Sequence, residues 1–193
     1  DGADDYVNVG DPTSGVLDFD TGSLTISAWI KPESFDATTF IVMKKSTTDV
    51  AAGYSIRLGV TTGAIAVNIS DSTNNIYSST GVAPDLNQWN HLVMVYDRIA
   101  NNAYLYLNGR LRSTVGIATV TGSTSNSDDF LIGRAGGGGG SYFDGLIDDV
   151  KIYNYARTQL QIISDMNAGH PAVGTPVGST VLDLKMDEGY GST

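Results

Sequence analysis

The sequence of 193 residues contains no cysteine, only two histidines (His91 and His170) and only two glutamates (Glu33 and Glu188). The lack of cysteine excludes disulfides, a thiol nucleophile and thiolate metal sites. No apolar run approaches the ~20 residues that a membrane-spanning helix needs. The first residues also lack the basic and apolar segments of a signal peptide. We therefore expect this chain to be a piece of a longer protein whose targeting signal lies elsewhere.

Basic residues are scarce as well. The 11 lysines and arginines face 21 acidic residues, which gives a formal charge of -10. Such a charge repels nucleic acids, acidic glycans and anionic membrane surfaces, so these are excluded as partners. Aspartate supplies 19 of the 21 acidic residues. Aspartate favours turns over helices and is a common ligand of hard cations, which predicts many short strands and loops and allows a calcium site.

Apolar and polar residues alternate along most of the chain, as they do in half-buried strands. The alternating segments are 24–32, 53–58, 64–69, 89–97, 103–110, 130–133 and 145–153. The turns between them are rich in glycine and asparagine, which predicts hairpins. A short helix is expected over 157–166, with Thr158 as a candidate N-cap. The pattern predicts an all-β fold, an antiparallel β-sandwich of two packed sheets with one short helix.

Five phrases stand in order along the chain. They are DGADDYV (1–7), TISAWIKP (25–32), WNHLV (89–93), YLNG (106–109) and GLIDDVKIYNYA (145–156). Their order and spacing resemble the laminin-G-like (LamG) domains of the concanavalin A-like lectin/glucanase superfamily, over nearly the whole chain. The resemblance implies a jelly roll of two antiparallel sheets, often found in tandem copies on secreted proteins.

The resemblance also indicates a displaced strand. In such domains a strand like residues 182–189 precedes the DGADDY phrase, whereas here it lies at the other end of the chain. We therefore predict a jelly-roll domain over 1–168, a linker over 169–179, and over 180–193 a strand that resembles the start of a next repeat. Because an isolated apolar strand favours aggregation, it is expected either to complete its own sandwich or to dock on a neighbouring copy by strand exchange.

A structural calcium ion is implied by the same resemblance. Related domains often bind calcium through an aspartate of the last long strand, a position that Asp148 matches, and Asp187 is expected to approach the same site if its strand closes the fold. A carboxylate between apolar neighbours is costly unless it is paired or metal-bound. The alternative is that Asp148 and Asp149 are strand-edge charges paired with arginine or lysine.

Catalysis is not expected. Some proteins of this fold hydrolyse glycans with a Glu-x-Asp-x-Glu motif on one strand. This chain cannot form that motif, because its two glutamates are Glu33 and Glu188. The alternating segments 53–58 and 64–69 contain no carboxylates that could act as acid and nucleophile.

Candidate ligand contacts are aromatic and polar residues on the polar sides of the strands or in loops. They are Trp29, Arg57, Asn68, Tyr104 and Tyr106 on strands, and Tyr77 and Tyr142 in loops. Aromatic rings stack on sugars, and amide and guanidinium groups bind their hydroxyls. The alternative is that these rings are ordinary strand residues.

These observations predict a non-catalytic binding module for a neutral carbohydrate, in a secreted or cell-surface protein with tandem repeats. The alternative is a calcium-stabilised protein–protein adhesion or spacer module that does not bind sugar. Retention on neutral polysaccharides distinguishes the two.

Overall fold

Two antiparallel sheets of six strands each form the molecule, as seen in a computed structural model that describes residues 4–46, 50–137, 141–168 and 180–184. The strands are β1 (Val7–Gly10), β2 (Leu24–Pro32), β3 (Thr39–Lys44), β4 (Gly53–Leu58), β5 (Ile65–Ser70), β6 (Asn75–Ser79), β7 (Asn90–Asp97), β8 (Asn102–Leu107), β9 (Arg110–Gly116), β10 (Phe130–Ile132), β11 (Gly145–Tyr153) and β12 (Thr180–Leu184). Sheet A has the order β1-β10-β3-β4-β5-β6, and sheet B has the order β12-β11-β2-β7-β8-β9. The predicted antiparallel sandwich is confirmed.

The core lies between the two sheets and follows from the alternation in the sequence. Every second residue of β2, for example Ile26 and Ile30, faces inward and is buried, as are Ile56 of β4 and Val67 of β5. Each such aliphatic side chain contributes roughly 1.5–3 kcal/mol by leaving water.

In the part of the chain that the structure describes, no helix has the length and hydropathy of a membrane span.

Helix α1 (Gln159–Ala168) begins directly after Thr158, the predicted N-cap. The backbone N–H of Thr158 donates to Gln161 Oε1 at 2.9 Å, and Gln161 N–H approaches Thr158 Oγ1 at 3.4 Å, which is a capping box. The helix packs on the outer face of sheet B, where Ile162 contacts Val93 and Val95. Its position therefore decides which outer surface remains open.

Strand β12 pairs antiparallel with β11 at the edge of sheet B, with Leu182 opposite Ile152 and Leu184 opposite Val150. The apolar side chains of β12 pack against the core. The strand thus completes the sandwich of its own chain in this structure, which is one of the two alternatives that the sequence left open. The predicted linker over 169–179 and residues 185–193 lie outside the described residues.

Candidate functional site

The residues predicted to contact a ligand lie on opposite outer faces of the sandwich. Sheet B carries Trp29, Tyr104 and Tyr106; sheet A carries Arg57, Asn68 and Tyr77; and Tyr142 lies between β10 and β11. The strand residues among them point away from the core, as expected. Tyr77 lies on β6 and not in a loop, which corrects the expectation for that residue, because its segment pairs with β5. Because the core separates the two faces, they cannot form a single site.

Helix α1 covers part of the outer face of sheet B. Tyr106 is only 8% exposed, because Ile162 of α1 packs over it. Trp29 is half-buried, with its ring centroid 5.1 Å from that of His91. Tyr106 therefore offers no open ring face to a ligand, which corrects the expectation for that residue.

His91 and Ser27 form a buried pair beside Trp29. The distance from Ser27 Oγ to His91 Nε2 is 2.9 Å, and the two residues are 4% and 3% exposed, respectively. Burial lowers the pKa of His91 to about 4, although Asp149 acts in the opposite direction. Within the described residues no group bonds to His91 Nδ1. A serine–histidine pair that no substrate can reach is structural.

On sheet A, a cationic side chain stacks against an exposed aromatic ring. The Arg57 guanidinium lies 4.2 Å from the centroid of Tyr77 and 5.7 Å from that of Phe40. Strand register places Phe40 directly beside Arg57. Tyr77 lies two strands away on β6 and reaches Arg57 diagonally across β5, where Arg57 is paired with Ala66 and Tyr77 with Asn68. Tyr77 is 44% exposed. The group presents both a flat ring and hydrogen-bond donors to solvent.

A cavity of about 360 Å³ opens at the β1–β10 end of the same face. The Arg134 guanidinium lies 4.5 Å from the ring centroid of Tyr6 and 5.7 Å from that of Tyr142, and the two rings are 6.2 Å apart. Arg134 and Tyr6 both line the cavity. Cation–π contacts with both rings hold the guanidinium in place without neutralising its charge.

Part of the cavity lining is acidic. Asp128 and Asp129 come from the loop before β10, and Asn8 Nδ2 donates to Asp129 Oδ2 at 2.9 Å. Lys45 also lines the cavity, and its ammonium donates to Asn68 Oδ1. That bond connects the cavity to β5, which lies between the strands that carry Arg57 and Tyr77. We call the cavity and this adjoining surface the sheet A site.

Only some residues of this site were predicted from the sequence. Arg57, Asn68, Tyr77 and Tyr142 were predicted, whereas Tyr6 and Arg134 were missed. Tyr6 lies in the DGADDYV phrase, and Arg134 lies two residues before the glycine-rich run that begins at Gly136, so each had a local signal. What the sequence could not show is that β1 and β10 are neighbours, which brings the two residues together.

Asp148, one of the two expected calcium ligands, lies in a bulge of β11. The Asp149 carboxylate pairs with Lys151 Nζ at 2.5 Å, and Asp149 N–H donates to Asp148 Oδ1 at 2.7 Å. Asp187 lies outside the described residues. Among the residues that the structure describes, no three acidic or histidine side chains group to hold a metal. The contact between Asp149 and Lys151 is of the kind that the paired-charge alternative describes, and calcium at Asp148 stays a prediction.

The comparisons with known proteins agree with the fold. A model of the family Laminin_G_3, of the concanavalin A-like lectin/glucanase superfamily, matches residues 1–163. No curated protein matches the chain.

Several solved structures are similar to this chain in fold. A proposed carbohydrate-binding protein from Bacteroides ovatus is similar with a TM-score of 0.71 and 23% identity, over 97% of this chain and 51% of that one. Domain 4 of AbnA, a GH43 extracellular arabinanase from Geobacillus stearothermophilus in complex with arabinotriose, has a TM-score of 0.58 and 23% identity, over 77% and 69% of the two chains. A heptameric SAP-like pentraxin from Limulus polyphemus has a TM-score of 0.57 and 19% identity, over 86% and 83%. The chain spans about half the length of the Bacteroides ovatus protein.

Proposed function

Because the chain belongs to the Laminin_G_3 family of the concanavalin A-like lectin/glucanase superfamily, we propose that it is a non-catalytic carbohydrate-binding module whose ligand occupies the sheet A site. The observation that carries this proposal is the cavity of about 360 Å³, which is lined by Arg134, held beside Tyr6, and by Asp128 and Asp129. Concave sites with a few fixed polar groups are where small ligands bind.

The chemistry of the site fits a neutral sugar. A guanidinium donates to hydroxyl oxygens, carboxylates accept from hydroxyl protons, and an exposed ring covers the apolar face of a pyranose or furanose. The cavity contributes Arg134, the pair Asp128 and Asp129, and Tyr6, and Tyr77 extends the surface along the sheet. A neutral ligand also avoids repulsion by the net charge of -10. The arabinotriose bound by the similar arabinanase domain is a ligand of this class.

Several features of the described residues support a non-catalytic role. The six strands of sheet A contain no aspartate or glutamate, so the open face lacks the paired strand carboxylates of a glycosidase. A second cavity of about 370 Å³ contains Glu33 and Asp36, but both are exposed. Neither side chain is buried as the general acid of such an enzyme is.

We further propose that the module works outside the cell as one part of a larger, repeated protein. The similar arabinanase domain comes from an extracellular enzyme, and the chain matches half of the Bacteroides ovatus protein. A calcium ion near Asp148, with Asp187 as a second ligand, remains a prediction within this proposal.

Retention on a panel of insoluble and immobilised neutral polysaccharides tests the proposal, run once in calcium and once in EDTA. Replacing Arg134 with alanine removes a charged hydrogen-bond donor, so we expect 10- to 100-fold weaker retention. For Tyr6→Ala the loss of stacking predicts about tenfold. Trp89→Ala is the matched control, because Trp89 is 44% exposed like Tyr6 but does not line the cavity.

Each result has a clear meaning. Retention that falls in Arg134→Ala and Tyr6→Ala but not in Trp89→Ala supports the sheet A site. Retention that falls only in Trp29→Ala moves the site to sheet B. If no polysaccharide retains the wild type, the carbohydrate proposal is rejected in favour of an adhesion or spacer module.

A further inference from the structure

Lys44, the last residue of β3, places its ammonium group inside the sandwich, with its side chain 0% exposed. Four oxygens surround Nζ: Asp11 Oδ1 at 2.9 Å, Asp18 Oδ1 at 3.4 Å, and the backbone carbonyl oxygens of Asn126 and Asp128 at 3.1 and 3.0 Å. We call these four oxygens the Lys44 cage. They come from three places in the sequence: the loop after β1, the segment before β2 and the loop before β10.

The cage has the composition of a hard-cation site. Carboxylate and backbone carbonyl oxygens are the ligands that calcium takes, and loops far apart in sequence are commonly held together by such an ion. Here two carboxylates, on Asp11 and Asp18, face one ammonium charge. Both carboxylates are partly open to water, at 32% and 22% exposure, whereas the ammonium is not. A buried charge is tolerated when it is paired and fully hydrogen-bonded, as this one is.

We propose that Lys44 is a built-in cation, which occupies a calcium-type site and joins the three segments without a metal ion. Its ammonium makes the cross-links that a divalent ion would otherwise make. It follows that removing the ammonium leaves an oxygen-lined space with two negative charges, which a divalent cation of suitable size can enter.

The cage also bears on the sheet A site. The Asp128 backbone oxygen accepts a hydrogen bond from Lys44 in the cage, and Asp128 and Asp129 both line the cavity. Asn126 fixes the same loop, since its Nδ2 donates to the carbonyl oxygens of Lys44 and Ala52 at 3.2 Å each. Lys44 is therefore a positioning residue for the acidic part of the cavity lining. This consequence rests on the proposed function, whereas the cage itself does not.

The test is the thermal stability of Lys44→Ala in EDTA and in increasing concentrations of calcium. We expect the variant to melt well below the wild type in EDTA. Above the Kd its melting temperature should rise by about 3–5 °C for each tenfold increase in calcium, because the ion binds only the folded state. Lys45→Ala is the matched control: the neighbouring lysine is also buried, but it bonds to Asn68 outside the cage, so we expect no added calcium response.

Further variants separate the cage from other effects. Asp148→Asn in both backgrounds removes any calcium effect that arises at β11. In Lys44→Met the side chain fills the space without a charge, so we expect a lower melting temperature and no calcium response. Adding Asp11→Asn to Lys44→Ala should abolish the response. In calorimetry we expect Lys44→Ala to bind one equivalent of calcium and Lys44→Met to bind none at this site.

The proposal is overturned if folded Lys44→Ala shows no more calcium response than the wild type, if calcium fails to refold a Lys44→Ala variant that is unfolded in EDTA, or if Lys44→Met is as stable as the wild type. Polysaccharide retention provides a separate readout. Lys44→Ala should lose retention in EDTA and regain it in calcium. If the wild type is not retained at all, the proposed function fails, while the melting experiment still decides the role of Lys44.

Discussion

Acidification should destabilise the protein through His91 well before its carboxylates titrate. Burial holds the pKa of His91 at about 4 in the folded state, against 6.5 for an exposed histidine. Stability from the neutral ring is therefore complete above pH 6.5 and is lost as the pH falls towards 4, because the unfolded chain binds the proton first. The full difference is worth about 3 kcal/mol, and about 2 kcal/mol of it is lost by about pH 5. For a chain of 193 residues that loss lowers the melting temperature by about 4–8 °C.

The assay is thermal unfolding at about pH 7.5 and about pH 5, a window in which ordinary carboxylates stay ionised. His91→Gln keeps a polar group near Ser27 Oγ but cannot be protonated, so its melting temperature should change little between the two conditions. His170→Gln is the control, since it removes the other histidine of the chain and should behave as the wild type. Equal pH dependence in His91→Gln and wild type would refute the reasoning, as would a wild type whose stability is flat across this window.

Three further predictions concern stability. Partial burial alone would raise the pKa of Asp71, but hydrogen bonds from three backbone amides outweigh it and lower the pKa to about 2. Asp71→Asn should therefore lower the free energy of unfolding by about 1–2 kcal/mol at neutral pH, as measured by urea unfolding. The variant should also lose less stability than the wild type between about pH 4 and 2. Gly145→Ala should destabilise by more than about 2 kcal/mol in the same assay, because Gly145 has a φ of +138° and a Cβ there would lie 2.2 Å from the carbonyl oxygen of Lys31. Leu182→Asp should release β12, which amide hydrogen exchange would show as loss of protection in β11 around Ile152, and unchanged protection would contradict the pairing.

The fold was predictable because alternation and turn composition act locally. The alternating segments 24–32, 53–58 and 145–153 match β2, β4 and β11, and the helix begins where its N-cap residue, Thr158, places it. The same alternation tells which side of a strand faces the core. It does not tell which of the two sheets a strand joins, since both sheets have an inner and an outer side.

Because alternation does not tell which sheet a strand joins, it identified only some of the residues of the sheet A site. Trp29 and Arg57 share the property of pointing outward, yet they lie on opposite faces because β2 and β4 belong to different sheets. Tyr106 was misjudged because the covering helix follows it by some fifty residues in sequence, and packing between such distant segments leaves no local pattern. Arg134 and Tyr6 meet only through the pairing of β10 with β1.

The strand order also sets how quickly the molecule can reach its native state. Val7 pairs with Ile132, and Trp29 pairs with Asp148, so that each sheet joins segments more than a hundred residues apart. Closing such long loops costs chain entropy before any contact repays it, and domains with this kind of topology fold in about milliseconds to seconds, not microseconds. Hairpins such as β4–β5 and β7–β8 can form early, since they are local. The β1–β10 pairing comes late, and until then the rim of the cavity does not exist, so the kinetics of ligand-site formation should follow the slowest folding phase.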